Sequence, residues 1–246
     1  MKVNRVFTII CIVFIFGQCT NTKQHDDFIK LIDGNDLNQW IVKKAKKDSA
    51  TTYWRIHDSI ITANSIGDST HDYVWLMTKA EYDNFHLKLK FRPYRESPGN
   101  TGIQIRSRYD DETEWLDGPQ IDIHPPGSWR TGMMWDETRG NKRWIYPDIP
   151  DTSWVHEDMV ENPPPLYYAG DSVEWNQMEI IAHGTRIKAK LNDRLITDLN
   201  GESILNDHIH QRREVGMNGH ICLQIHKNDQ LKIDFKDILI KNISEP

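Results

Sequence analysis

The sequence predicts an all-β protein, an antiparallel sandwich, and three observations carry that prediction. Apolar and polar residues alternate with period two, turn residues recur between the alternating stretches, and no stretch carries a long helical period. Phe85, Leu87, Leu89 and Phe91 alternate with His86, Lys88, Lys90 and Arg92, the pattern of a strand with one face in a core. Next come Asn100-Thr101-Gly102-Ile103-Gln104-Ile105-Arg106 and Gly118-Pro119-Gln120-Ile121-Asp122-Ile123-His124, in which isoleucine alternates with side chains that bond or carry charge. Met178, Ile180 and Ala182 form a further strand, and Gly184-Thr185 turns the chain into Ile187, Ala189 and Leu191. Asn192-Asp193 offers another turn before Leu195, and Ser203 to Gln211 reads as a short helix. Ile221, Leu223 and Ile225 alternate, and Asn228-Asp229 then leads into Leu231, Ile233 and Phe235. Many short strands joined by turns indicate an antiparallel sandwich.

One segment breaks this rhythm. Residues 136–171 hold Pro147, Pro150, Pro163, Pro164 and Pro165 among Trp144, Tyr146, Trp154, Tyr167 and Tyr168. Proline runs do not enter a central strand, so a long ordered loop is expected, serving as a lid or cleft wall or packing its rings on the sandwich.

The first residues are read as targeting sequence. Lys2 and Arg5 precede the apolar run Val6 to Phe16, which is shorter than the ~20 residues of a membrane-spanning helix but fits a secretory signal. Cys19 after Phe16-Gly17-Gln18 resembles a bacterial lipobox, with Gln18 where a small residue is usual. The expected layout is a lipoprotein signal over residues 1–19 with Cys19 as the lipid site, a tether over 20–26, and one β-sandwich domain over 27–246. The protein is then exported and touches a membrane only through its lipid anchor, in the periplasm or at the cell surface. Of three cysteines only Cys222 remains in the folded part, which excludes a disulfide framework and a cysteine metal cluster; a small buried or half-buried thiol is expected. The formal charge of -6 argues against nucleic acid as a partner. Nine tryptophans in an exported chain suit a sugar-binding surface, with most of them in the core.

Strand alternation sends Ile103, Ile105, Ile121 and Ile123 to a core and puts Gln104, Arg106, Gln120, Asp122 and His124 on the opposite face. An amide set, a guanidinium, a carboxylate and an imidazole on neighbouring strands suit a cleft for a polar substrate. Gln224 and His226 repeat the layout on a later strand, and Trp135, Trp144 and Tyr146 are candidate sugar platforms.

The run Phe28-Ile29-Lys30-Leu31-Ile32-Asp33-Gly34-Asn35-Asp36-Leu37-Asn38-Gln39-Trp40 resembles the opening signature of the 3-keto-disaccharide hydrolase domain family. The resemblance continues in order through Trp54-Arg55-Ile56, Asn84-Phe85-His86-Leu87, Asn100-Thr101-Gly102-Ile103, Trp175-Asn176, Leu191-Asn192-Asp193, Gly219-His220-Ile221-Cys222-Leu223-Gln224-Ile225-His226 and Phe235-Lys236-Asp237-Ile238. It implies a concanavalin A-like, glucanase-like jelly roll, export in Bacteroidota-type bacteria, and action on sugars oxidised at carbon 3. Many members carry a glutamate and, two residues on, a glutamine on the strand after the Asn-x-Gly motif; here Gln120 and Asp122 hold those places, so the carboxylate has moved along the strand.

A ketone at carbon 3 acidifies the hydrogen on carbon 2. A base removes it, an electrophile holds the enolate, and the carbon 1 substituent leaves by elimination, after which water can add back. The expectation is therefore cleavage of 3-keto-glycosides, with a hydrolase or a lyase outcome. Asp122 or His124 is the candidate base, His124 or His226 the candidate acid, and Arg106 the candidate enolate holder. Gln104, Gln120 and Gln224 are candidates for reading hydroxyls. A divalent Zn, Co or Mn on Asp122, His124 and His226 is the alternative electrophile. Asp122 paired to Arg106 as a plain salt bridge is the structural alternative. The chain has no dinucleotide fingerprint, so a separate sugar dehydrogenase is implied as the source of the oxidised substrate. The competing readings are a non-catalytic carbohydrate-binding lipoprotein and an ordinary glycoside hydrolase. Only Asp122 stands clearly in the expected cleft, and a glycosidase needs two carboxylates.

Overall fold

A computed structural model describes residues 28–97, 99–150 and 153–244. The proposed signal, Cys19 and the tether lie outside these residues. Two antiparallel eight-stranded sheets stack face to face. The first runs, in spatial order, β14 (Arg194–Asn200), β13 (Arg186–Leu191), β12 (Asn176–His183), β6 (Phe85–Pro93), β16 (Lys232–Asn242), β4 (Ile60–Asn64) and β3 (Trp54–His57), with β1 (Ile29–Lys30) also on β16. The second runs β11 (Arg143–Tyr146), β10 (Met134–Asp136), β9 (Pro119–Ile123), β7 (Thr101–Asp110), β15 (His220–Ile225), β5 (Val74–Thr78) and β2 (Trp40–Lys44), with β8 (Trp115–Asp117) on β7. Neighbours distant in sequence, such as β6 beside β16 and β7 beside β15, mean that the chain crosses between sheets, as in a jelly roll.

The alternation has the expected cause. Phe85, Leu87, Leu89 and Phe91 face Ile103, Ile105, Ile121, Ile123, Leu223 and Ile225 across a shared core, and these side chains are buried. Burial of this apolar face holds the register of each strand, because a slip of one residue would turn every isoleucine to the outside. A smaller apolar cluster, Trp75, Met77, Leu116 and Cys222, lies on the second sheet with Tyr73 and Tyr109 packed on it. Burial pushes the Cys222 thiol well up, so it stays protonated and inert.

Two expectations on segments are corrected. Residues 136–146 do not belong to one long loop: β10 and β11 pair as a hairpin, Trp135 opposite Trp144, joined by a turn over 137–142, and the long irregular stretch begins at Pro147. The pairing uses Trp144 and Ile145, which fit a pleated surface, and the prolines start only beyond them. The short helix α1 spans His208–Arg213, later than expected, because Asp207 caps it by accepting from the N–H groups of Ile209 and His210.

α1 is tied to β10 through a buried histidine. His210 Nδ1 is 2.9 Å from Asp207 Oδ1 and Nε2 is 3.2 Å from Asp136 Oδ2. Burial pulls the imidazolium down, but the bonds and charges of Asp136 and Asp207 outweigh it, and its pKa is raised. A raised histidine stabilises the fold fully below the unfolded value of about 6.5 and loses that contribution as pH climbs through the folded value. The stability gap between the wild type and His210→Gln is therefore expected to narrow with rising pH, which thermal melts across the neutral and mildly alkaline range would read.

Candidate functional site

The outer face of the second sheet collects polar side chains in rows. Gln104 pairs with Gln120 and Gly102 with Asp122 between β7 and β9; Gln120 pairs with Trp135 on β10, and Gln224 with Trp75 on β5. Gln104, Gln120, Asp122 and Gln224 are all at most 2% exposed. Gly102 makes this packing possible, since a Cβ there would stand 2.4 Å from the Gln120 amide carbon. The glutamine lies over the bare glycine and its Nε2 reaches Asp122 Oδ1 at 3.4 Å.

These buried groups are left short of partners within the protein. Gln104 Oε1 accepts the Trp75 indole N–H at 2.6 Å, but Gln104 Nε2 has no partner. Nor do Gln120 Oε1, both amide atoms of Gln224, Asn100 Oδ1 and Trp144 Nε1. Buried polar atoms are nearly always bonded, and each one left unmet costs about 1–3 kcal/mol. So many on one face leave hydrogen-bonding capacity open to water or to a polar ligand.

Asp122 sits in their midst. Arg130 Nε lies 2.8 Å from Asp122 Oδ2, a charge contact whose N–H is not aligned for a directed hydrogen bond. Burial pushes the Asp122 carboxyl up, while Arg130, the Asn100 side chain and the His226 charge pull it down; the net direction is upward. Arg130 in turn lies over the rings of Trp144 and Trp154 at 5.8 and 5.7 Å. Trp154 stacks flat on Trp135 at 4.9 Å and is about half exposed. The proline-rich segment thus sets one aromatic wall.

The other wall holds Tyr73, Trp115, Glu137, Lys142 and His226. Tyr73 stacks on Trp75 and meets Trp115 and His226 edge-on. Glu137, two residues past Trp135 on the same side, is nearly buried, and burial raises its carboxyl against the pull of Lys142. Lys142 Nζ lies 3.9 Å from Glu137 Oε2 and 3.4 Å from the Trp115 ring centre. Burial pulls His226 down, but Asp229 and Glu137 outweigh it and its pKa is raised.

The structure brings Gln104, Gln120, Asp122, Gln224, His226, Trp135 and Trp144 to one face, and it corrects three expectations. Arg106 is not among them. Its φ of 49° makes a bulge that turns the side chain toward the other sheet, where it donates to the carbonyls of Asp83, Gly184 and Gly216. Burial lowers it to about 10, so it remains a cation, but a structural one. The partner of Asp122 is Arg130 instead. His124 bonds the Gly127 carbonyl through Nδ1, at 3.1 Å, and meets Trp129 edge-on; burial, then Arg130, lowers it to about 4. It is a neutral ring and a poor acid near pH 7. Tyr146 packs toward the core rather than on the aromatic wall.

Among the described residues no three His, Cys, Asp or Glu side chains stand together as a metal-ligand group. Asp122, His124 and His226 therefore do not fit a metal in this arrangement. Sequence reasoning missed Tyr73, Arg130 and Glu137. Tyr73 shares the parity of Trp75, and Glu137 that of Trp135, so strand alternation carried a signal for both; Arg130 sits in a turn-rich loop with none.

A cavity of about 470 Å³ lies elsewhere, on the outer face of the first sheet. Four of its charges are paired with one another, Lys90 with Asp237 and Lys190 with Glu179, both at 2.9 Å. None of the unpartnered buried atoms belongs to its lining.

The fold and this face define an antiparallel β-sandwich with a buried polar row flanked by aromatic rings. Residues 27–241 match the 3-keto-alpha-glucoside-1,2-lyase-like domain, and the chain belongs to that family. No curated protein matches it in sequence. Among solved structures, a protein from Parabacteroides distasonis provisionally described as a glycosyl hydrolase is similar at 17% identity and a TM-score of 0.57, covering 88% of this chain and 94% of that one. The carbohydrate-binding module CBM66 from Bacillus subtilis is similar at 13% identity and a TM-score of 0.52, covering 83% and 96%. A Bacillus subtilis protein of galectin-like fold is similar at 12% identity and 0.52, covering 84% and 90%. At these identities the likeness is one of fold.

Proposed function

We propose that this protein cleaves 3-keto-glycosides by removing the hydrogen on carbon 2 and expelling the carbon 1 substituent. The observation that carries the reading is Asp122, a buried carboxylate in charge contact with Arg130 and ringed by unpartnered amide atoms. A desolvated carboxylate is a stronger base than one in water, which suits removal of a proton from carbon. Arg130, a fixed cation beside it, takes the enolate-holding role. Gln104, Gln120 and Gln224 bond the sugar hydroxyls. Burial pulls the His226 imidazole down, but Asp229 and Glu137 raise it on balance, which suits it to supply the proton for the departing oxygen. The sugar arrives already oxidised, from a separate dehydrogenase, and the protein works outside the cytoplasm, held by a lipid on Cys19.

The steps balance without an added oxidant. The carbon–hydrogen pair at carbon 2 becomes an enolate, which re-forms the ketone as the carbon 1–oxygen bond breaks and a carbon 1–carbon 2 double bond forms. The leaving oxygen takes one proton and departs as an alcohol. Water adding across the double bond completes net hydrolysis; without it the outcome is that of a lyase.

Glu137 favours a second reading, since it gives the site the second buried carboxylate that an ordinary glycosidase requires. One experiment separates the two: the protein is incubated with a 3-keto-glucoside and with its unoxidised parent, with and without EDTA. Cleavage of the keto sugar alone, unaffected by EDTA, is expected. Cleavage of the parent would favour the glycosidase, loss with EDTA would restore a metal electrophile, and cleavage of neither would leave a sugar-binding module.

A further inference from the structure

His226 is the raised imidazole of the site, yet neither of its nitrogens is free to meet a substrate. Nδ1 faces two acceptors, the Lys227 carbonyl at 3.2 Å and Asp229 Oδ2 at 3.4 Å, so it carries a hydrogen whether the ring is neutral or charged. Nε2 is taken by the Tyr73 hydroxyl at 3.1 Å. A proton passed from Nε2 toward a bound substrate therefore goes through the Tyr73 oxygen. When the ring is charged, Nε2–H donates to that oxygen and the phenol's own hydrogen is released to point at another acceptor.

Tyr73 is held for such a task. Its ring lies flat on Trp75, 5.5 Å between centres and 12° between planes, and Trp115 closes its edge at 5.0 Å. Trp75 is itself tied to the substrate-facing amides by its bond to Gln104. Asp229 is fixed in turn, because it also accepts the Asn100 backbone N–H at 2.7 Å. Burial, with the charges of Glu137, Asp229 and Asp72, pushes the phenol up, so it holds its proton until a stronger base is generated beside it.

We infer that Tyr73 is the catalytic acid: its hydroxyl gives its proton to the oxygen leaving carbon 1 and is recharged from His226, which Asp229 holds in position. The inference rests on the keto-glycoside reading. In the step, the carbon 1–oxygen bond breaks with its electron pair on the oxygen, the Tyr73 O–H proton moves to that oxygen, and the His226 Nε2 proton moves to the phenolate. The ring ends neutral and is recharged from solvent, with which it is in partial contact. Tyr73 is then a chemical participant and His226 a positioned reservoir behind it.

The test uses two 3-keto-glucosides that differ only in the leaving group, a simple alkyl alcohol and a nitrophenol. A nitrophenol leaves without help from an acid; an alkyl alcohol does not. Tyr73→Phe keeps the ring on Trp75 and removes one oxygen. Its kcat on the alkyl substrate is expected to fall by about 10²-fold or more, the usual worth of a general acid, with KM little changed, while the nitrophenyl substrate loses less than about tenfold. His226→Gln keeps an N–H toward Tyr73 but cannot carry the extra proton, and should show the same split in milder form. It also carries the test if Tyr73→Phe does not fold. Equal losses on both substrates, or none on either, would overturn the assignment of Tyr73 while leaving the keto-glycoside reading intact. No turnover of either substrate by the unaltered protein would overturn both.

Discussion

Asp122→Asn is expected to lower turnover of a 3-keto-glycoside by roughly 10²–10⁴-fold, the range for loss of a positioned base. The change keeps the shape of the side chain, so Gln120 still lies over Gly102 and Arg130 keeps an oxygen to face. Stability should move the other way. An aspartate whose folded pKa is raised resists ionisation in the native state, so at neutral pH its charge costs stability that the amide does not. The melting temperature should therefore hold or rise while activity collapses. A binding module would show the same melt with almost unchanged affinity. A parallel fall in stability and activity would mean that Asp122 is a structural ion pair.

Arg106 should behave in the opposite manner. Its guanidinium ties the Asp83, Gly184 and Gly216 carbonyls, bringing the β12–β13 turn of one sheet against the other. Arg106→Met removes that tie and leaves a buried carbonyl at Gly216 without its donor, for a cost of about 2–4 kcal/mol. For a domain of this size that lowers the melting temperature by roughly 4–16 °C. Well below the new transition, the folded enzyme should keep its kcat. A variant that melts normally but is inactive would return Arg106 to the site.

These two residues show what alternation reveals and where it stops. Ile103, Ile105, Ile121 and Ile123 mark the core face without ambiguity, and Gln104, Gln120 and Asp122 follow on the other face because a strand has only two. The same count assigned Arg106 to that face. It failed because the positive φ at Arg106 inserts a bulge, which sends two successive side chains, Ile105 and Arg106, toward the same side. An arginine in that conformation carries no sequence mark, unlike a glycine. Arg130 was out of reach for a related reason: it hangs from a loop after His124, and only the fold shows which carboxylate it meets. Tyr73 and Glu137 were within reach, since each lies one residue beyond a strand and continues the parity of the tryptophan on it. The order of family blocks named the fold and family, because jelly-roll neighbours are far apart in sequence and only the whole set constrains them.

The most direct test of the central claim follows the hydrogen on carbon 2. A 3-keto-glucoside carrying deuterium there is cleaved by the protein, and the fate of the label and the rate are recorded beside the unlabelled compound. Abstraction by Asp122 predicts that cleavage slows with the label and that deuterium passes to solvent, with Asp122→Asn losing both. Cleavage at an unchanged rate with the deuterium kept on carbon 2 would contradict elimination and leave Asp122 and Glu137 as a glycosidase pair.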